Sequence, residues 1–237
     1  MHSLSVIVPF FNEAKFLSRL VNELEALPEN TVAEVIFIDD GSTDDSISIL
    51  KESLRSSKLN SSIHSKKNGG KASAVALGAK FLKTTHVLIL DADLELSTSD
   101  ITKLWSVISA NQSEVVFGYR NFLAQSSFTW RYAKGNRLIS NLYGVLFNEL
   151  ITDIMCGYKL MPSQILQAIP FKAKGFAIEV EIPIQLWKRR IRPYEVPVDY
   201  FPRSRSEGKG ITVIDAVKII LTLLAQRLFH VRQRSRT

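Results

Sequence analysis

The sequence predicts an α/β fold with a mixed, mostly parallel sheet that is flanked by helices. Two short apolar runs, residues 35–38 and 87–90, have the length and β-branched content of buried parallel strands. An Asp-Asp pair follows the first run, and an Asp-Ala-Asp triplet follows the second. Parallel strands end at a common edge of the sheet, where open α/β sheets bind ligands. Both acidic clusters are therefore expected at one ligand-binding edge.

The first half of the chain alternates strand-like and helix-like segments. Apolar residues recur at three- or four-residue steps in the helix-like parts. Strands joined by helices imply right-handed crossovers and hence a parallel sheet. The predicted elements are a strand at 5–8, a helix that ends before Pro28, a strand at 35–38, a helix carrying Ile47, Leu50 and Leu54, a helix at 72–82 and a strand at 87–90.

The second half contains no linker-like segment, so residues 1–210 are predicted to form one domain. The predicted elements are a helix at 100–110, a strand at 114–118 that delivers Tyr119 and Arg120, a helix at 130–150, a strand at 195–200 and a glycine-punctuated loop at 203–210.

Residues 211–237 form an apolar segment with a basic end. Asp215 and Lys218 interrupt the segment, which argues against a bilayer-spanning helix of roughly 20 mostly apolar residues. Its apolar positions recur at helical steps, as is typical of an amphipathic helix at a membrane interface. A helix packed on the domain's own core fits the pattern equally well, and both interpretations stay open.

Composition limits the class of protein. With 237 residues, of which 46% are hydrophobic, the chain is long enough for one domain with a sizeable core. The single cysteine, Cys156, provides no disulfide framework, which favours a reducing compartment and therefore the cytoplasm. Met1 leads directly into a predicted strand without a basic leader, so a signal peptide is not expected.

The formal net charge of +7 is compatible with a nucleic acid, an anionic membrane or a phosphorylated substrate. The basic residues concentrate at 188–192, at 203–205 and in the C-terminal tail. No aromatic-interleaved basic motif of the RNA-binding kind occurs, so no nucleic-acid partner is expected. The run at 188–190 is equally typical of a solvated basic face.

Asp91 and Asp93 are candidate ligands of a divalent cation. Carboxylate oxygens suit a hard cation that bridges to a diphosphate and stabilises the charge of its departure. Alternation along an extended strand would place both carboxylates on one side of the small Ala92, whose backbone a nucleotide could approach closely. Two solvated loop aspartates are the alternative for an isolated Asp-x-Asp motif.

Several short motifs occur in a characteristic order along the chain. They lie at residues 8–13, 38–44, 68–71, 91–93, 153–159, 175–179 and 203–209. In this order the chain resembles the family 2 glycosyltransferases with the GT-A fold. The later motifs resemble, more narrowly, the branch of dolichol-phosphate mannose synthase and dolichyl-phosphate glucosyltransferase. The resemblance spans nearly the whole chain, and its specificity comes from the ordered co-occurrence of the motifs.

The resemblance implies a divalent cation, Mn²⁺ or Mg²⁺, and a nucleoside-diphosphate sugar donor, GDP-mannose or UDP-glucose. Asp91 and Asp93 would hold the cation, and Asp93 would count as catalytic. Glu95 stands where relatives often carry glutamine, so it is either a third metal ligand or an acid that changes the metal preference. Ala92 would border the bound nucleotide.

The resemblance also implies a nucleoside pocket at the exits of the first two strands. By motif position, Pro9, Phe11 and Glu13 would line the pocket, while Ile38 and Asp40 would contact the base or the ribose. Two alternatives stay open, since Asp40 suits the cap of the following helix and Glu13 suits the positive N-terminus of the first helix.

Four basic residues are candidates for phosphate contacts, namely Arg120, Arg131, Arg205 and Lys209. Arginine binds phosphate in a bidentate manner and lysine acts as a point charge. The loop at 203–210 is expected to close over the bound donor, which assigns Arg205 to the catalytic group as well. A surface loop with incidental charges is the alternative.

Asp153 is the remaining candidate catalytic residue. In many inverting glycosyltransferases an aspartate takes the proton of the acceptor hydroxyl. A lipid monophosphate is already ionised near neutral pH, so Asp153 would then orient the sugar or the acceptor, and its role stays open. Cys156 nearby is expected to be a small packing residue.

The sequence thus predicts an inverting glycosyltransferase that moves a hexose, mannose or glucose, to a polyprenyl or dolichyl phosphate. It is expected to act peripherally at the cytoplasmic face of a membrane, and a partner membrane protein is compatible with this interpretation. One alternative keeps the donor site but uses a soluble glycan, protein or small-molecule acceptor. A second alternative is a non-catalytic nucleotide-sugar-binding subunit.

Overall fold

The computed structural model describes residues 2–121, 130–172, 175–202 and 213–234. Within these ranges it describes the side chains of residues 2–121, 132–172, 175–202 and 214–228. The described strands form one seven-stranded sheet in the order β3-β2-β1-β4-β6-β5-β7. Its strands are β1 Leu4–Phe10, β2 Glu34–Asp39, β3 Ser61–Ser65, β4 His86–Ile89, β5 Val116–Arg120, β6 Lys159–Pro162 and β7 Tyr194–Val198.

Helices flank this sheet and confirm the predicted α/β class. They are α1 Ala14–Glu25, α2 Ser46–Arg55, α3 Lys71–Gly78, α4 Asp100–Ser109, α5 Trp130–Phe147, α6 Ser163–Gln167, α7 Ile178–Lys188 and α8 Val213–Arg234. Short 3₁₀ turns extend α3 and precede α7. The patterns used above did not identify β3, β6, α6 and α7.

The strand β6 is antiparallel to its two neighbours, and its direction positions the segment that precedes it. The pairs β1–β2, β1–β4, β2–β3 and β5–β7 are parallel, whereas β6 is antiparallel to both β4 and β5. Lys159, the first residue of β6, lies between Ile89 of β4 and Phe117 of β5. The segment that precedes β6 therefore lies at the edge where the parallel strands end.

The sheet is buried on both faces. Val35 and Phe37 of β2 belong to a cluster that includes residues of α1, α2 and α4, whereas Ile36 and Ile38 belong to a second cluster with α3, α5 and α7. Successive side chains of a strand point to opposite faces, so a strand covered on both sides must be apolar throughout. This double burial explains the continuous apolar runs in the sequence.

The C-terminal helix α8 packs on the domain's own core with one face, whereas its contact with a membrane interface stays a prediction. Ile219 and Leu223 are fully buried in the core cluster that contains residues of α5 and α7, and α8 packs against both helices. The opposite face of α8 exposes a row of apolar side chains. Their exposed fractions are 67% for Ile214, 50% for Val217, 59% for Leu221, 38% for Leu224 and 65% for Leu228.

In the part of the chain that the structure describes, no helix has the length and apolar character needed to cross a membrane. The predicted domain boundary at residue 210 lies outside the described residues and stays a prediction.

Candidate active site

Charged side chains collect along the edge where β2, β4 and β5 end. Asp40 follows β2, Asp91 follows β4, and Arg120 ends β5. Neighbouring strands lie roughly 4.8 Å apart, so the order of the sheet spaces these groups along a line. The prediction that both acidic clusters reach one sheet edge is confirmed by this topology.

Asp40 fixes the glycine-rich turn that precedes α3. Its carboxylate accepts hydrogen bonds from the backbone N–H groups of Gly69 (3.0 Å) and Gly70 (2.6 Å) and forms an ion pair with Lys66 (2.7 Å). The carboxylate does not cap α2, because Asp44 accepts the hydrogen bond from the N–H of Ser46 in that first turn (3.0 Å). The capping alternative for Asp40 is therefore wrong, whereas its contact with the nucleoside stays a prediction.

Gly41 allows the turn after β2 to meet the glycine-rich turn. Its φ of +82° lies in the region that L side chains rarely adopt, and a Cβ atom there would lie 2.8 Å from the backbone nitrogen of Asn68. Any other residue at this position would push apart the two turns that Asp40 connects.

Asp91, whose side chain is 32% exposed, belongs to a network of four charges whose other members, Lys71, Glu179 and Lys159, are largely buried. The Nζ atom of Lys71 lies 2.6 Å from Oδ1 of Asp91 and 2.6 Å from Oε1 of Glu179. The other carboxylate oxygen of Glu179 pairs with Lys159, which is only 1% exposed. Two cations and two anions balance here, which makes burial of the network tolerable.

The pKa values in this network follow from the pairing. Burial alone would lower the pKa of Lys71, but Asp91 and Glu179 raise it above its ordinary value. Burial alone would raise the pKa of Glu179, but Lys159 and Lys71 lower it below its ordinary value. The pairing therefore favours the charged states of Lys71 and Glu179, and Lys71 holds Asp91 in place through their ion pair.

The approach to Asp91 depends on a glycine in the segment before β6. A Cβ atom on Gly157 would lie 2.5 Å from Oδ2 of Asp91, closer than real contacts allow. The absence of a side chain on Gly157 lets the segment that leads into the antiparallel strand β6 pass directly beside the carboxylate of Asp91.

The geometric argument for Asp91 and Asp93 on one extended strand is wrong. β4 ends at Ile89, and Leu94 has a φ of +55°, so Asp93 lies in a turn. Oδ1 of Asp93 accepts a hydrogen bond from the backbone N–H of Glu95 (3.1 Å). The turn, rather than strand alternation, sets the position of the second carboxylate.

Glu95 and Ala92 have identifiable neighbours. The hydroxyl group of Tyr200 donates a hydrogen bond to Oε2 of Glu95 (2.9 Å), and Ala92 is buried in the core. Among the side chains that the structure describes, no three His, Cys, Asp or Glu groups are arranged to hold a metal ion together. A third ligand role for Glu95 therefore stays a prediction.

Arg120 and Asp153 form a buried bidentate ion pair. Nε and Nη2 of Arg120 donate hydrogen bonds to the two carboxylate oxygens of Asp153 at 2.6 and 2.9 Å. Nη1 of Arg120 donates to the hydroxyl oxygen of Tyr132 (3.1 Å), and the ring of Tyr200 lies 5.1 Å from the guanidinium carbon. Burial alone would lower the pKa of Arg120, but Asp153 raises it well above its ordinary value. The sequence assigned Arg120 to phosphate and did not predict this pairing.

The residues predicted to line the nucleoside pocket differ in their exposure. Phe11 is 44% exposed at the exit of β1, and Glu13 is partly buried just before α1. Pro9 is buried, and Ile38 lies in the core with no exposed surface, so a contact of either residue with the nucleoside stays a prediction. The nucleoside pocket at these strand exits stays a prediction, and the pattern could not separate core residues from surface residues.

Several predicted residues lie outside the described part of the chain. These are Arg205, Lys209 and the side chain of Arg131. The structure reveals contributors that the sequence argument missed, because their partners are distant in the chain. They are Lys66, Lys71, Tyr132, Lys159, Glu179 and Tyr200. The motif matches at 68–71 and 175–179 already contained two of them.

Cys156 is unsuited to nucleophilic chemistry. It is 1% exposed, and burial raises the pKa of its thiol to about 12. A thiol in this environment is not ionised near neutral pH, so the packing role predicted from the sequence fits.

The family of the chain follows from comparison with known proteins. A family model described as "Glycosyl transferase family 2" matches residues 5–170. The chain therefore belongs to this family and is a glycosyltransferase.

Two curated relatives are informative. The chain is 28% identical to the dolichyl-phosphate beta-glucosyltransferase of Saccharomyces cerevisiae over 254 residues, covering 96% of this chain and 75% of that protein. It is 27% identical to the dolichol-phosphate mannosyltransferase of Pyrococcus furiosus over 228 residues, covering 93% of this chain and 63% of that protein.

A solved structure confirms the GT-A type of fold. Glucosyl-3-phosphoglycerate synthase from Mycobacterium tuberculosis, crystallised with Mn²⁺, uridine diphosphate and phosphoglyceric acid, superimposes with a TM-score of 0.75 at 19% sequence identity. The match covers 95% of this chain and 78% of that one. At this identity the similarity shows the fold alone.

Proposed function

We propose that this glycosyltransferase moves a hexose, mannose or glucose, from a nucleoside-diphosphate sugar to a polyprenyl or dolichyl phosphate, with inversion at the anomeric carbon. The observation that carries the proposal is the linear order of Asp40, Asp91 and the Arg120–Asp153 pair along one sheet edge. Four strand spacings separate the ends of β2 and β5, roughly 19 Å at 4.8 Å each. A nucleotide sugar and an acceptor phosphate can lie end to end along such a site.

The relatives support the class of acceptor. The two curated proteins described above are named for transfer involving dolichyl or dolichol phosphate. In the proposed reaction an oxygen of the acceptor phosphate forms a bond to the anomeric carbon while the bond from that carbon to the diphosphate oxygen breaks. A phosphate monoester is ionised near neutral pH, since its second pKa is about 6, so the attacking oxygen needs no strong base.

A divalent cation is proposed at Asp91 and Asp93. Two carboxylates fit the oxygen preference of Mg²⁺ and Mn²⁺, which take their remaining ligands from substrate phosphates and water. When bound, the cation would neutralise charge on the departing diphosphate. Lys71 balances the charge of Asp91 in the structure described here and adds a positive charge beside the same phosphate position.

The Arg120–Asp153 pair is proposed to orient the acceptor. Both oxygens of Asp153 accept hydrogen bonds from Arg120, and the pair is rigid because both side chains are buried. This arrangement favours the orienting role for Asp153 over the role of a general base. Arg131, Arg205 and Lys209 remain proposed phosphate contacts.

A screen of donors and acceptors tests the proposed function. Purified protein is incubated with GDP-mannose or UDP-glucose, with Mn²⁺ or Mg²⁺, and with farnesyl phosphate, 3-phosphoglycerate or a free sugar as the acceptor, and the products are analysed by mass spectrometry. We expect the lipid to gain one hexose with one of the two donors. Transfer only to 3-phosphoglycerate or free sugars would show that the acceptor is a soluble molecule and not a lipid phosphate. Donor binding without turnover on any acceptor would indicate a non-catalytic subunit.

The outer face of α8 is proposed to bind the surface of an anionic membrane. Its exposed row of Ile214, Val217, Leu221, Leu224 and Leu228 is apolar, and arginines dominate the charges of the tail that follows. Burial of the apolar side chains and attraction to anionic lipid add in such a helix. The neighbouring helix α5 also exposes apolar side chains, with Leu138 63% and Val145 83% exposed.

Leu221→Glu should weaken binding to vesicles that contain phosphatidylglycerol by at least about tenfold, since burial of one leucine contributes roughly 1.5–3 kcal/mol. The measurement is sedimentation with vesicles, and the melting temperature should stay unchanged because Leu221 is 59% exposed. Tyr194→Glu, a change at a 49% exposed side chain on β7, is the matched control. Unchanged vesicle binding in Leu221→Glu would remove α8 from the proposed surface. Deletion of the segment is less informative, because it would also remove Ile219 and Leu223 from the core.

A further inference from the structure

One amide group on α5 is buried without a hydrogen-bond partner for its nitrogen. Asn136 on α5 is 4% exposed, and within the described part of the chain no group accepts a hydrogen bond from its Nδ2 atom. Most buried polar atoms in proteins have a partner, because a buried donor without one loses its hydration and gains nothing in return. An orphaned amide therefore needs an explanation.

Two neighbours on the same helix define where the amide lies. Residues four apart share one face of a helix, so Tyr132, Asn136 and Ser140 lie in a row. Tyr132 accepts a hydrogen bond from Arg120 (3.1 Å), and Ser140 accepts one from the backbone N–H of Ile154 (3.1 Å). Asn136, between them, faces the segment that carries Asp153.

The other described orphan atoms do not share this position. Oδ1 of Asp100 lies 2.6 Å from Nζ of Lys103, which provides an ionic partner. Ser163 follows β6 and therefore lies at the opposite edge of the sheet. Asn136 is the orphan at the end of the site that is farthest from Asp40.

The surroundings of Asn136 favour an anionic oxygen as its ligand. The unpartnered Nδ2 atom of Asn136 donates hydrogen bonds, as a phosphate oxygen requires, whereas Arg120 on the same side of the site is already paired with Asp153. The helix that carries Asn136 also packs against α8, whose outer face is the proposed membrane contact. A lipid phosphate would reach the site from this side, whereas the nucleoside end lies toward β2.

We propose that Asn136 donates a hydrogen bond to the phosphate of the lipid acceptor and is a determinant of acceptor binding. The inference rests on the proposed function, since it specifies how the lipid-phosphate end of the same site is recognised. The partner that the amide lacks in the structure is then supplied by the substrate.

The test compares ligand binding in the wild type and in Asn136→Leu by calorimetry. Farnesyl phosphate is the probe, farnesol reports contacts of the lipid chain alone, and the two nucleotide sugars report the donor site. We expect the dissociation constant for farnesyl phosphate to rise roughly 10- to 100-fold, as for a lost hydrogen bond to a charged group. The constants for farnesol and for the donors should not change.

The melting temperature provides a second readout. Replacing an unpartnered amide by an apolar side chain of similar size should leave the melting temperature unchanged or raise it. Asn141→Leu, at an exposed position of the same helix, is the matched control and should change neither binding nor stability.

The outcomes separate this inference from the proposed function. Unchanged affinity for farnesyl phosphate in Asn136→Leu would overturn the inference whatever the melting temperature, and a lower melting temperature would then show a purely structural amide. A change confined to the donors would also overturn it. If the wild type binds farnesyl phosphate through Asn136 but transfers no sugar, the inference stands and the proposed function fails. A wild type that does not bind the phosphate overturns both.

Discussion

Asp93→Asn should reduce sugar transfer by at least about 100-fold, comparable to the loss of a principal electrostatic stabiliser of a transition state. The substitution keeps the size of the side chain and removes the negative charge that the proposed cation requires. Initial rates at saturating donor give the effect on transfer, and a titration with Mn²⁺ followed by electron paramagnetic resonance gives the effect on cation binding. The rate of transfer and the affinity for Mn²⁺ should fall together.

The control for this experiment is Asp45→Asn, which removes the charge of an exposed aspartate just before α2. It should leave transfer and Mn²⁺ binding unchanged. Retained activity of Asp93→Asn with an unaltered dependence on Mn²⁺ would remove Asp93 from the cation site. Loss of activity with normal Mn²⁺ binding would instead show that Asp93 contacts the donor or stabilises the turn in which it lies.

Asp153→Asn should destabilise the protein by about 3–5 kcal/mol, because it leaves the buried guanidinium of Arg120 without a counter-charge. Both partners are almost fully enclosed, so solvent cannot replace the lost carboxylate. The measurement is the free energy of unfolding from urea titration, followed by fluorescence. A loss of this size should also lower the melting temperature by several degrees.

A double variant that removes both charges separates the pair from its surroundings. Arg120→Met combined with Asp153→Leu should be less destabilising than Asp153→Asn alone, since no unpaired charge remains. Asp199→Asn is the control, because the side chain of Asp199 is 57% exposed and lies 3.9 Å from Lys103. That exposed pair should contribute at most about 1 kcal/mol. An effect of Asp153→Asn no larger than the control would contradict the buried ion pair.

Local patterns predicted most of the elements in the first half of the chain. The predicted strand at 35–38 corresponds to β2, and the predicted helix at 72–82 corresponds to α3 with its 3₁₀ extension. Apolar periodicity reports the face that an element buries, so it succeeds where that face is continuous. It missed β3, whose residues are mostly polar and only partly buried at the edge of the sheet.

The charge pairs of the site could not be predicted from the same patterns. Lys71 and Glu179 are 108 residues apart, and Arg120 and Asp153 are 33 residues apart. Motif matches marked the segments of Lys71, Glu179 and Asp153, and a predicted strand delivered Arg120, but neither signal showed which groups meet. Arg120 was consequently assigned to phosphate, although its guanidinium is engaged by Asp153.

The sequence by itself determined the α/β class and the two strand ends that carry Asp40 and Asp91, because strand length, apolar content and turn residues are local properties. The tertiary structure decided what surrounds those carboxylates. The reversal of β6 between β4 and β5 brings Gly157 against Asp91 and places Asp153 beside Arg120. Such pairing depends on contacts between distant segments, which no local pattern encodes.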